Sequence, residues 1–139
     1  MCDGFQFDIN KLLIVNQVKM YIDGMPEYSS ARVIQPYEFS WFEGYPNGVN
    51  YLTQQTMSDW LADLYAIGYG AHVHAMGDLG VREALNAIES VRNKGSELKY
   101  NMTHLQLIDP DDIEDISGES VNKFNERFTK NTNDKPENV

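Results

Sequence analysis

The run Gly70-Ala71-His72-Val73-His74-Ala75, followed at once by Met76-Gly77-Asp78, constrains the fold of this chain more than any other stretch. It reads as a short strand, then a glycine turn, then the start of a helix. On a strand, alternate side chains share a face, so His72 and His74 point the same way. His74 then stands at the C-terminal end of the strand, immediately before the loop that Gly77 permits. In α/β sheets and barrels that end is where ligands bind and chemistry takes place.

The flanking sequence repeats the theme. Gly4 to Asp8 alternates apolar and polar residues and reads as a short strand. Leu12 to Asp23 is the clearest strand pattern, with Val18, Met20 and Ile22 on one face and Gln17, Lys19, Tyr21 and Asp23 on the other. Asp23-Gly24-Met25-Pro26 ends it as a turn. Glu27 to Asn50, rich in aromatics and in glycine, proline and asparagine, reads as a long loop packed by its aromatic side chains. A helix capped by Thr56 or Ser58 follows to about Ile67, its buried stripe formed by Trp60, Leu61, Leu64 and Ile67, and Gly68 stops it.

After the histidine strand, Asp78 is placed to cap a second helix over Val81 to Arg92, with Leu85, Ile88 and either Val91 or Ala84 inward. Tyr100 to Ile108 reads as a further strand, with Met102, His104 and Gln106 on one face and Thr103, Leu105 and Leu107 on the other. Asp109-Pro110-Asp111-Asp112 opens a short acidic helical turn through about Ile116. Residues 117–139 form a polar tail with a possible amphipathic turn at Phe124 and Phe128.

The order strand, long loop, helix, strand, helix, strand is that of βαβ units with a parallel sheet. An open, doubly wound sheet is dry on both faces. Here each strand keeps one polar face: Lys19 with Asp23, His72 with His74, His104 with Gln106. The pattern therefore predicts an α/β fold of one domain over residues 1–116: a partial (β/α) barrel segment of three to four parallel strands and two to three helices.

Charge narrows the partners. Eleven basic residues against 21 acidic give a net charge of −10. Such a chain is repelled by phosphate backbones and anionic lipid, so no nucleic acid and no membrane partner is expected. A divalent metal or a neutral or cationic small molecule suits it better. The single cysteine, Cys2, allows neither an internal disulfide nor a thiolate zinc cluster, which fits a cytoplasmic location.

Lys19, His74 and His104 converge on one point if the three strands lie side by side in register. Two neutral imidazoles are good ligands for zinc, iron or manganese. A desolvated lysine has a lowered pKa, and its free amine can take up carbon dioxide to become an anionic carbamate ligand. Asp78 can orient His74 or carry a proton. Each residue also has an ordinary reading: hydrogen-bonded structural histidines, a lysine extended along an edge, an aspartate serving only as helix cap. Tyr37, Trp41, Phe42 and Tyr45 read as loop core in preference to a stacking platform for substrate.

Several motifs occur in a fixed order: Val18-Lys19-Met20-Tyr21-Ile22-Asp23-Gly24, Ser30-Ala31, Gln35-Pro36-Tyr37, His72 to Asp78, Thr103-His104-Leu105-Gln106 and Asp109-Pro110-Asp111-Asp112-Ile113. From about Val15 to Ile116 the chain resembles the middle of a metal-dependent amidohydrolase. The similar subgroup includes N-substituted formamide deformylases and exoenzyme regulatory proteins. The resemblance implies that Lys19 is a carboxylated metal ligand, that His74 and His104 are metal ligands on the next two strands, and that His72 is a neighbour of the site. It implies hydrolysis of a non-peptide amide C–N bond in a small-molecule substrate by a metal-activated water, with zinc the expected ion.

The family's His-x-His motif on its first barrel strand and its catalytic aspartate on the last have no counterpart here. Three or four strands cannot close an eight-stranded barrel. The expectation is a segment weakly active or inactive alone. The alternative is a noncatalytic regulatory module that forms a homo-oligomer through exposed strand edges.

Overall fold

A computed structural model of the protein describes residues 15–113 and residue 116. The expected strand at 4–8, the start of the first long strand and the tail at 117–139 lie outside the described residues. Three parallel strands form one sheet in sequential order: β1 (Gln17–Tyr21), β2 (Gly70–Ala75) and β3 (Tyr100–His104). Helix α1 (Gln54–Ala66) links the first pair and α2 (Asp78–Arg92) the second. Short 3-10 turns occupy Pro26–Tyr28 and Pro110–Asp112.

The register pairs Lys19 with His72 and Tyr21 with His74 across β1 and β2. It pairs His72 with Asn101, His74 with Thr103 and Ala75 with His104 across β2 and β3. Paired residues of a parallel sheet project to the same side, which defines two unlike faces. Met20, Ala71, Val73, Ala75, Tyr100 and Met102 are buried in a single core with Met57 and Leu61 of α1 and Val81, Ala84, Leu85, Ile88 and Val91 of α2. Each such large aliphatic side chain contributes roughly 1.5–3 kcal/mol on burial. Both helices therefore cover the same face, which is the winding of a barrel segment, and the expected α/β partial barrel is what forms.

Helix α2 follows its periodicity: Leu85 and Ile88 point inward as expected, and both Val91 and Ala84 do so, joined by Gly80, Val81 and Ala87. Helix α1 differs from expectation. Its N-cap is Thr53, whose hydroxyl accepts from the Thr56 backbone N–H at 3.2 Å, so the helix starts earlier than Thr56 or Ser58 would allow. Its buried side chains are Met57 and Leu61, with Leu64 packed against the core, while Trp60 and Ile67 are exposed. The stripe runs through 57, 61 and 64 at helical spacing, and Trp60 and Ile67 stand to one side of it.

The long loop after β1 is ordered by its backbone. Gly24 and Val49 both donate to Ser30 O, Val33 donates to Asn47 O, and Tyr51 donates to Ile22 O. Small side chains fill its interior: Ser29, Ser30, Ala31 and Val33 are buried. The expected aromatic loop core is not what forms, because Phe39, Trp41, Phe42 and Tyr45 are exposed. Only Tyr37 turns partly in, its hydroxyl donating to Ala31 O at 2.9 Å. Arg32 fastens the loop to α2 through a two-pronged pair with Glu83, at 2.8 and 2.9 Å. No helix among the described residues is long and apolar enough to cross a membrane.

Candidate metal centre

The face of the sheet that no described helix covers is polar. Asn101 Nδ2 donates to Gln17 Oε1 at 3.2 Å and Lys19 Nζ donates to Thr103 Oγ1 at 3.1 Å. Both bonds reach from β1 to β3 over the middle strand. His72 lies beneath them, half-buried, and its pKa is lowered by burial first, then by the nearby charges of Lys19 and His104. Burial also lowers the Lys19 pKa, in the direction that favours a reactive neutral amine.

His74 forms the C-terminal rim of this face and is buried. Its ring lies between Tyr21, with centroids 4.9 Å apart, and His104, with centroids 4.5 Å apart. The approach of His104 departs from strand alternation. Met102 faces the core, so two residues on His104 should face it too. Instead His104 has φ 77° and Leu105 φ 46°, both in the left-handed region. Strand β3 therefore ends at His104 and does not continue to Ile108. Leu105 N bonds to Ala75 O at 3.0 Å, Leu107 N bonds to Met76 O at 2.9 Å, and the Leu105 side chain is buried. The turn places the apolar Leu105 inside and swings the His104 imidazole across to His74. Left-handed backbone at a non-glycine residue costs about 1–3 kcal/mol and clusters at functional sites.

The pKa of His104 is lowered by burial first, then by His74 and Lys19, and is opposed by Asp23. His74 and His104 are thus in contact, and Lys19 acts on His104 through its charge while bonded to Thr103 beside them. The register holds Lys19 opposite His72, one step short of His74.

Asp78 sits elsewhere. Gly77 holds the cap position of α2 and makes no side-chain cap bond; Asp78 is the first helical residue. Its carboxylate accepts from Ile34 N and Leu79 N, each at 2.8 Å, fixing the long loop to the helix start. The carboxylate beside His74 belongs to Asp23, 3.8 Å from Nε2 and fully buried. Sequence alternation places Asp23 on the polar strand face, but β1 ends at Tyr21 and Asp23 turns inward. Its oxygens accept from Arg32 N, Met76 N and Gly77 N at 2.8, 3.0 and 2.8 Å. Burial raises its pKa against the lowering effect of these bonds.

The donor set fits one divalent ion in part. Ring centroids 4.5 Å apart let one ion reach a nitrogen of each imidazole, given metal–nitrogen bonds of about 2.0–2.1 Å. Among the described residues, no three His, Cys, Asp or Glu side chains gather as a metal site.

Comparison with known proteins agrees with this layout. The sequence pattern of the amidohydrolase family matches residues 6–122. The exoenzymes regulatory protein AepA of Pectobacterium carotovorum subsp. carotovorum is 28% identical over 115 residues, covering 81% of this chain and 23% of that protein. An uncharacterized metal-dependent hydrolase from Pyrococcus furiosus superposes with a TM-score of 0.63 at 25% identity, over 75% of this chain and 20% of that one. A second, from Pyrococcus horikoshii OT3, shares the fold with a TM-score of 0.60 at 21% identity over the same shares. The chain thus spans about a fifth to a quarter of the length of these relatives. The chain belongs to the amidohydrolase family.

Proposed function

We propose that this chain is the central, metal-holding part of a hydrolase that cleaves non-peptide amide C–N bonds in small molecules, with His74, His104 and Lys19 as ligands to zinc. The observation that carries the reading is the left-handed turn at His104, which brings a second imidazole to the strand-end histidine at the cost of backbone strain. A bound divalent ion supplies Lewis-acid activation for hydrolysis. His74 and His104 hold it as neutral imidazoles, a state that the lowered His104 pKa favours. The Lys19 amine adds to carbon dioxide, losing one proton, and becomes a carbamate anion that serves as the third ligand. Asp78 acts through structure, joining loop and helix beneath the rim. With only these ligands among the described residues, weak turnover or none is the expected result for this segment.

A second reading has its own support. Among the described residues the outer edges of β1 and β3 pair with no further strand, and Val18 and Tyr21 are exposed. Unpaired edges favour self-association, so a noncatalytic homo-oligomer is the alternative.

Metal analysis run together with light scattering separates the two. The first reading predicts stoichiometric zinc that is lost in the His74→Ala, His104→Ala double variant. Metal content unchanged in that variant overturns it. A metal-free oligomer supports the second.

A further inference from the structure

We infer that Asp23 is a positioning residue that, with the Gly24 carbonyl, fixes the neutral His74 ring in the tautomer carrying its proton on Nε2. The inference deepens the proposed function, since it concerns which nitrogen His74 keeps free for a ligand.

One edge of the His74 ring faces two acceptors. His74 Nε2 lies 3.4 Å from Gly24 O and 3.8 Å from Asp23 Oδ1. A carbonyl oxygen only accepts, and so does an ionised carboxylate. Both neighbours of Nε2 therefore reward a proton there, leaving the Nδ1 lone pair available. Asp23 cannot move aside. Its three backbone donors come from two separate loops, Arg32 on one side and Met76 and Gly77 on the other. Helix α2 closes over it so tightly that a Cβ at Gly80 would come within 2.7 Å of Oδ2. A Cβ at Gly77 would fall on the Arg32 carbonyl oxygen. The loop that carries Arg32 and the turn that follows His74 are thus packed around one carboxylate, and His74 is read against it.

The substitution Asp23→Asn gives a sharp test because an amide has one accepting oxygen. Oδ2 serves two backbone donors, Arg32 and Gly77, so the amide oxygen belongs there. The NH2 group then takes the Oδ1 position, where Met76 N–H loses its acceptor, and presents a donor to Nε2. A ring that faces a donor gives up its proton on that side.

The experiment is nitrogen-detected NMR of the histidine rings in the whole chain, above the imidazole titration range and without metal, for the native protein and Asp23→Asn. The native His74 is expected as the Nε2–H tautomer, and the variant is expected to reverse that preference. A merely structural role for Asp23 would lower stability without reversing the tautomer. A native His74 protonated on Nδ1 overturns the inference, and this arm decides alone if Asp23→Asn does not fold. A folded variant with the native tautomer overturns it equally. Zinc titration of the same samples should show about a 10- to 100-fold weaker affinity in the variant. If the native chain binds no zinc, the proposed function fails while the tautomer result still judges Asp23.

Discussion

His104 and Leu105 both have positive φ, and this local exchange of side chains makes the proposed site. Leu105 goes into the core and His104 goes out to meet His74. No feature of Thr103-His104-Leu105-Gln106 announces the change, because a left-handed pair looks like an ordinary alternating strand when only residue types are read. His74 was legible, since its face and its place at a strand end follow from period-two geometry. Asp23 was not, because its donors lie 9 residues away at Arg32 and more than 50 away at Met76 and Gly77. The histidines also set an expected pH response. Burial is the main cause of the lowered pKa at both His72 and His104. A base with a folded pKa below its unfolded value binds protons more weakly when folded, so its contribution to stability is full above the unfolded pKa. That contribution is lost as the pH falls through the folded value, which lies below 6.5. Urea midpoints of the metal-free protein should decline on acidification below 6.5. His72→Gln should flatten the decline, and a variant profile as steep as the native one contradicts the assignment.

At the scale of elements, legibility tracked how local the causes are. Helix α2 was readable throughout because one face of regular spacing meets one sheet. Helix α1 was readable as a helix but not in its start or its face. Trp60 and Ile67 are large and apolar, yet the inward stripe is set by which residues share a face with Leu61, and Met57 does. The cap assignment is directly testable. Thr53→Ala removes the hydroxyl that accepts from Thr56 N and should cost about 1 kcal/mol. Ser58, whose hydroxyl donates back to Gln54 O within the helix, should tolerate alanine with little change. Denaturant unfolding of the two variants checks this, and equal losses would contradict the placement of the cap. The long loop shows the opposite case: its aromatics suggested a packed interior, but backbone pairing and small residues order it, and Trp41 is left outside.

For the molecule as described, helices on one face and a polar opposite face make this a piece of barrel wall, with the proposed site on the side that no described helix covers. The alternation of elements and the one polar face of every strand make that architecture legible in the sequence. What the pattern left open was convergence: the register puts Lys19 opposite His72, and only its bond to Thr103 carries it over the middle strand toward the two imidazoles. In the proposed site those two imidazoles share one ion. X-ray absorption at the zinc edge of the metal-loaded chain tests it most directly. The expected spectrum contains scattering from two imidazoles per zinc, and both contributions disappear in the His74→Ala, His104→Ala variant. A zinc shell without imidazole, or one that the double substitution leaves unchanged, would contradict the account.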